Sequence, residues 1–147
     1  MEKGYRSWGH DIGEEDTALE AGLGFAVALD KPGGFIGRDA LLRQREAGAP
    51  RRRLVQIALC DDGPEAPLMY HEEPIWRDGL LVGATGSGMW GHRVGKSLAM
   101  GYVACPEGVT TEWLAAGRWE VEIAWQRRPA RVQLQPWYDP KGERVRG

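Results

Sequence analysis

The sequence predicts a mainly β (α+β) fold: a small antiparallel barrel or sandwich preceded by a strand–helix lead-in. Three observations carry this expectation. After Pro50 the apolar positions recur every second residue rather than every third or fourth. Arg77-Asp78-Gly79 lies between the apolar runs Pro74-Ile75-Trp76 and Leu80-Leu81-Val82, and Asp-Gly favours a tight hairpin because both residues tolerate positive φ. Trp119, Val121, Ile123 and Trp125 alternate with Glu120, Glu122 and Ala124, which places the four apolar residues on one face of a strand.

The elements follow in order. Within residues 17–30 the second half is apolar and β-compatible, so a strand is expected there. Lys31-Pro32-Gly33-Gly34 breaks the chain, since Pro fixes φ and Gly permits positive φ. Residues 38–47 read as a helix with Ala40, Leu41 and Leu42 as its apolar side, stopped by Gly48 and Pro50. Residues 54–59 form a first alternating strand. Gly83-Ala84-Thr85-Gly86-Ser87-Gly88 lacks the Lys-Ser/Thr of a phosphate loop and is expected to be a bulged strand or a tight barrel corner. Residues 97–104 are another apolar run. Gln126-Arg127 is expected to turn the chain into residues 129–134. The division falls near Gly48-Ala49-Pro50, giving a lead-in over residues 1–50 and a β domain over 51–147.

Composition narrows the function classes. A chain of 147 residues with 42% hydrophobic residues and seven tryptophans can bury a core. A formal net charge of −2 exerts no general pull on nucleic acid or anionic membrane, and neither is expected as a partner. Arg51-Arg52-Arg53 reads as a solvated face. No apolar stretch is long enough to span a bilayer and no secretory signal is evident. The expectation is therefore a cytoplasmic chain whose two cysteines, Cys60 and Cys105, are free thiols.

No self-sufficient catalytic or metal site emerges from the residue pattern. His10-Asp11 and His71-Glu72-Glu73 place neighbouring side chains on opposite sides of an extended backbone, and His92 has no carboxylate nearby in sequence. Ser87 has no convincing base. The residues alone reach a β-rich domain without a function.

Several motifs in combination go further. Glu2-Lys3-Gly4-Tyr5-Arg6-Ser7-Trp8-Gly9-His10-Asp11-Ile12, then Thr17-Ala18-Leu19-Glu20-Ala21-Gly22-Leu23, resemble a segment of the glycine cleavage T-protein (aminomethyltransferase) and sarcosine–dimethylglycine dehydrogenase family. Phe35-Ile36-Gly37-Arg38-Asp39-Ala40-Leu41 is similar to the motif that follows there. Glu73-Pro74-Ile75-Trp76, Val82-Gly83, Ser87-Gly88 and Ala99-Met100-Gly101-Tyr102-Val103 resemble that family's carboxy-terminal barrel in order and spacing. The Tyr-Arg-Ser-Trp-Gly wording lies nearer the dehydrogenase branch.

The resemblance implies the end of a folate-binding region over residues 1–50 and a β-barrel over 51–147. It implies one-carbon transfer to tetrahydrofolate by the parent protein, from an aminomethyl group or an oxidised methylamine. By the same resemblance Glu2 matches a folate-contacting glutamate and Lys31 falls near a basic folate contact. A carboxylate suits the pterin's amino-pyrimidine edge because it can accept paired donors. Tyr5 and Trp8 either line that pocket or serve as core aromatics. The catalytic aspartate of the family, and FAD in its dehydrogenase branch, would belong to preceding parts of a parent polypeptide or to partner subunits. Glu2, near the amino terminus, is expected to be mobile. Two positions depart from the pattern: Ala18 stands where the family usually has Pro, and Gly86 where it usually has Thr. The rival reading is a non-catalytic binding or subunit-assembly barrel.

Overall fold

A computed structural model describes residues 1–61, 63 and 65–147. Six strands, all paired antiparallel, close into a barrel: β1 (Arg52–Leu59), β2 (Pro74–Arg77), β3 (Leu80–Gly91), β4 (Lys96–Ala104), β5 (Trp119–Ile123) and β6 (Gln126–Gln133). Their order around the barrel is β1-β4-β3-β2-β5-β6, with β6 returning to β1. Closure removes free sheet edges, which would otherwise expose unpaired backbone groups. The helices are α1 (Arg38–Glu46), α2 (Thr111–Ala116) and α3 (Glu143–Arg146).

The interior is apolar. Val55, Ile57 and Leu59 of β1 meet Ile75, Ala99, Val103, Trp119 and Val121 in one buried cluster. Each fully buried aliphatic side chain of this kind stabilises the fold by about 1.5–3 kcal/mol. The hairpin expected at Asp78-Gly79 is present, with φ of 51° and 83° at the two residues, the signature of a primed turn. The bulge expected in the glycine-rich run is also present: the β3–β4 register shifts between Thr85 and Ser87.

β1 departs from strict alternation, because residues 54–59 are all buried. Its second face is covered by the lead-in. Leu54 N donates to Glu20 O at 2.9 Å, and the Gln56 side chain packs so closely against Gly4 that a Cβ there would lie 3.0 Å from its Nε2. A strand covered on both sides loses its polar–apolar rhythm.

The strand expected in the second half of residues 17–30 is replaced by turns and a 3-10 segment, Gly24–Ala26. The physical reason lies just before it. Thr17 and Glu20 form a reciprocal capping box: Thr17 N donates to Glu20 Oε2 at 3.0 Å, and Glu20 N donates to Thr17 Oγ1 at 3.2 Å. That coils the chain, and Gly22, with φ of 72°, prevents extension. α1 spans the expected residues within one position, entered from Gly37 and followed by Gly48, with φ of 88° and 100°. Gln44 Nε2 ties it to Thr17 Oγ1 at 2.9 Å.

Two further differences concern β5 and the segment before it. Trp125 does not extend the apolar face of β5. It sits with Ala124 in the β5–β6 turn, at φ of 66° and 49°, and is 94% exposed. Gln126 and Arg127 accordingly open β6 instead of forming the turn. α2 has no counterpart in the expectations above. Its start was legible in Thr110, whose hydroxyl accepts from Trp113 N at 3.1 Å, a standard N-cap. Leu114 is buried, and Trp119 Nε1 donates to Leu114 O at 2.9 Å, so α2 plugs one end of the barrel.

Candidate functional site

The lead-in and the barrel meet through a few specific side chains. Arg6 braces the turns of the lead-in itself: Nε donates to Ala21 O at 3.2 Å, Nη1 to Gly4 O at 2.6 Å and Nη2 to Gly22 O at 3.3 Å. Arg53 of β1 reaches back to Leu19 O. Burial holds both guanidinium groups below the usual arginine range, and for Arg53 the nearby Arg6 charge adds to the effect.

Glu2 is hydrogen-bonded to the barrel. Its Oε1 accepts from Arg93 N at 2.5 Å and Val94 N at 2.9 Å in the β3–β4 turn. Its backbone carbonyl accepts from Tyr138 N at 3.0 Å. Gly91 leaves room for the side chain, since a Cβ there would lie 3.2 Å from Glu2 Cγ. Two backbone donors saturate Oε1, which leaves Oε2 as the oxygen able to accept from a ligand. The pinning residues lie more than ninety positions away in sequence, so local pattern could not foretell it.

Lys31 is exposed in the loop before α1, beside a hollow lined by Gly33, Gly34, Phe35 and Arg38. Tyr5 and Trp8 are not core aromatics, being 69% and 73% exposed. Tyr5 lines a separate groove of about 640 Å³ between the lead-in and the carboxy-terminal segment; neither Glu2, Lys31 nor Trp8 lines it. Of the four residues, Glu2 alone is held by the barrel through side-chain hydrogen bonds.

A second groove, of about 600 Å³, runs between residues 9–16 and β3–β4. Asp11 is 4% exposed at its edge. Its Oδ2 accepts from Ser7 N at 2.8 Å, whereas the buried Oδ1 has no donor. Oδ1 faces the bulge residue Gly86, 3.4 Å from where a Cβ would stand. Nearby, Arg52 Nη1 pairs with Asp16 Oδ1 at 2.5 Å, and its guanidinium lies 3.7 Å over the Tyr102 ring. Burial, reinforced by Asp16, pushes the Tyr102 hydroxyl above its ordinary range. Asp16 is held low: burial opposes its ionisation, but hydrogen bonds from Arg52 and Gly13 N outweigh it.

His10 and His71, sixty-one positions apart, bring their rings to 6.2 Å between centroids. No group of three or more His, Cys, Asp or Glu able to hold a metal occurs among the described residues. Cys60 is an exposed free thiol; Cys105 is buried and lies 3.3 Å from Glu107 Oε2. No described helix is long and apolar enough to cross a membrane. The arrangement offers pinned acceptors and basic surfaces, the equipment of a binding wall.

The chain is 43% identical, over 99% of its length, to 4-methylaminobutanoate oxidase (formaldehyde-forming) of Paenarthrobacter nicotinovorans. It is 38% identical over its whole length to human mitochondrial sarcosine dehydrogenase. It is 34% identical over 92% of its length to the mouse mitochondrial pyruvate dehydrogenase phosphatase regulatory subunit. It spans 16% of the length of each of these relatives. Among solved structures, the glycine cleavage system aminomethyltransferase T from Bartonella henselae superposes with a TM-score of 0.74, covering 95% of this chain and 37% of that one at 23% identity, which supports the fold. Residues 52–139 match the glycine cleavage T-protein C-terminal barrel domain, and the chain belongs to that family.

Proposed function

We propose that this chain is the carboxy-terminal part of a tetrahydrofolate-dependent one-carbon transfer protein of the dehydrogenase branch, and that it supplies one wall of the folate site. Residues 1–50 are then the end of the folate-binding region and 51–147 the barrel that buttresses it. The observation that carries the reading is the pinning of Glu2 by the β3–β4 turn. A carboxylate with one oxygen occupied and one open is suited to accept an amino-group donor from a pterin. Lys31 supplies an exposed cation, and Tyr5 and Trp8 supply exposed aromatic surface.

When bound, tetrahydrofolate would supply the nucleophilic nitrogen that receives the one-carbon unit. This chain's part is to accept and orient. The catalytic carboxylate belongs to a preceding part of the parent, and FAD, where the parent uses it, is held outside these residues. A folate half-site without its catalytic group forfeits several kcal/mol of transition-state stabilisation. An assay of 5,10-methylenetetrahydrofolate formation should therefore show no turnover by the chain alone; turnover would refute the reading.

A second reading has one observation in its favour. A relative that matches 92% of the chain is named as a regulatory subunit. The barrel can thus serve as an assembly module without folate chemistry. No detectable tetrahydrofolate binding by either the chain or its Glu2→Gln variant would favour this alternative.

A further inference from the structure

The groove beside Tyr5 is lined by more cations than carboxylates. Lys3, Arg6, Arg53, Lys141 and Arg146 line it, with Asp139 as its one carboxylate. Asp139 Oδ1 accepts from Arg144 N at 3.2 Å, and its buried Oδ2 lies 3.9 Å from Lys3 Nζ without a hydrogen-bond donor. Arg6, Arg53, Lys141 and Arg146 form no ion pair among the described residues.

Arg6 and Arg53 make the case sharper than a basic patch would. Both flank Gly22, with Arg6 Nη2 and Arg53 Nη2 respectively 2.8 Å and 3.5 Å from the place a Cβ would take. Their hydrogen-bond partners are backbone carbonyls, and the one carboxylate acting on the pair is Asp11, through Arg6. Arg53 Nε is buried and has no acceptor. Two adjacent like charges are costly, and an oxyanion bound beside the guanidinium pair offsets that cost. Guanidinium pairs match the geometry of phosphate and carboxylate oxygens. Lys141 and Arg146, on the exposed carboxy-terminal segment, stand at the groove's other wall.

We infer that this groove is a binding site for a compact multivalent oxyanion, a phosphate-type group or clustered carboxylates, held between Arg6 and Arg53 on one side and Lys141 and Arg146 on the other. The exposed rings of Tyr5 and Phe25, 69% and 84% accessible, provide apolar surface for whatever carries the anion. The site is independent of Glu2, and its test contains no folate.

The test is a titration of the whole chain with pyrophosphate and, separately, citrate at constant ionic strength, read by the 15N–1H signal of Arg53 Nε and by the thermal midpoint. Saturable movement of both is expected. The double variant Lys141→Glu/Arg146→Glu, which alters exposed side chains outside the barrel, should weaken binding by at least roughly tenfold, as loss of two charged contacts implies. The stronger of the two ligands identifies the source as phosphate or carboxylate. No change beyond that produced by matched sodium chloride would overturn the proposal. So would saturable binding that the double variant leaves intact.

Discussion

Asp11 is the residue whose surroundings make the plainest demand. One oxygen caps Ser7 N, and the other is buried without a donor opposite Gly86. Gly86 does not occupy the left-handed region, and a Cβ there meets only ordinary contacts, the nearest at 3.4 Å. Gly86→Ser would therefore place a hydroxyl beside the orphaned oxygen and should raise stability by about 0.5–1.5 kcal/mol. Asp11→Ala should lower it by about 1–3 kcal/mol. Urea denaturation of both variants checks this; a destabilising Gly86→Ser would mean the hollow is already satisfied. Part of this was legible in the sequence, where Gly86 stands out as a departure from the family's Thr. The burial of Asp11 was not, because His10-Asp11 reads as an extended segment with its side chains on opposite sides, whereas the chain turns so that Asp11 Oδ2 accepts from Ser7 N.

The Asp16–Arg52–Tyr102 cluster supplies a pH dependence at the same scale. Asp16 has a depressed folded-state pKa, so its contribution is present above the ordinary aspartate value of about 4 and is lost as pH falls through the lower folded value. Asp16→Asn should flatten the acid limb of the stability profile below about pH 4. Tyr102 shifts the other way, so in a spectrophotometric titration one of the four tyrosines should ionise well above about pH 10. Tyr102→Phe should remove that late step.

At the scale of elements, two of the hairpins show how far pattern alone reaches. Asp78-Gly79 was legible because both residues favour positive φ. Ala124-Trp125 was not: the apolar alternation of Trp119, Val121 and Ile123 continued through Trp125, and no Gly or Asn marked the turn. The chain nevertheless places both residues at positive φ, a strained choice for side chains other than Gly or Asn. Trp125→Gly should relieve it and raise stability by about 1 kcal/mol, measurable as a higher thermal midpoint; an unchanged or lower midpoint would show that Trp125 contributes through packing. Gly101 makes the opposite case. A Cβ there would collide with the Ala84–Thr85 backbone of β3, so Gly101→Ala should destabilise the barrel. α1 and the bulge at Gly86 were legible from glycine placement. The coil at residues 17–30 was misread because its apolar content outweighed the Thr17–Glu20 box that controls it.

For the whole molecule, period-two patterning was enough to predict a β domain, and the family motifs were enough to make it a barrel. The covering of β1 by the lead-in and the pinning of Glu2 depend on contacts across most of the chain, which no local window contains. The thiols report on the same closure. Cys60 is exposed and Cys105 is 3% exposed. One thiol per chain should react promptly with a thiol reagent under native conditions, and the second only on denaturation. Two prompt thiols would mean that the barrel end near Cys105 opens readily.

The central claim is that the barrel fixes Glu2 as one wall of an incomplete folate site. Calorimetric titration with tetrahydrofolate of the chain and of its Glu2→Gln variant tests it most directly. Weak binding is expected, with a dissociation constant of about 1 mM or above, and Glu2→Gln should weaken it further because an amide oxygen is a poorer acceptor for a charged or polarised donor. Micromolar binding that survives Glu2→Gln would contradict the claim, placing any folate site elsewhere on the chain.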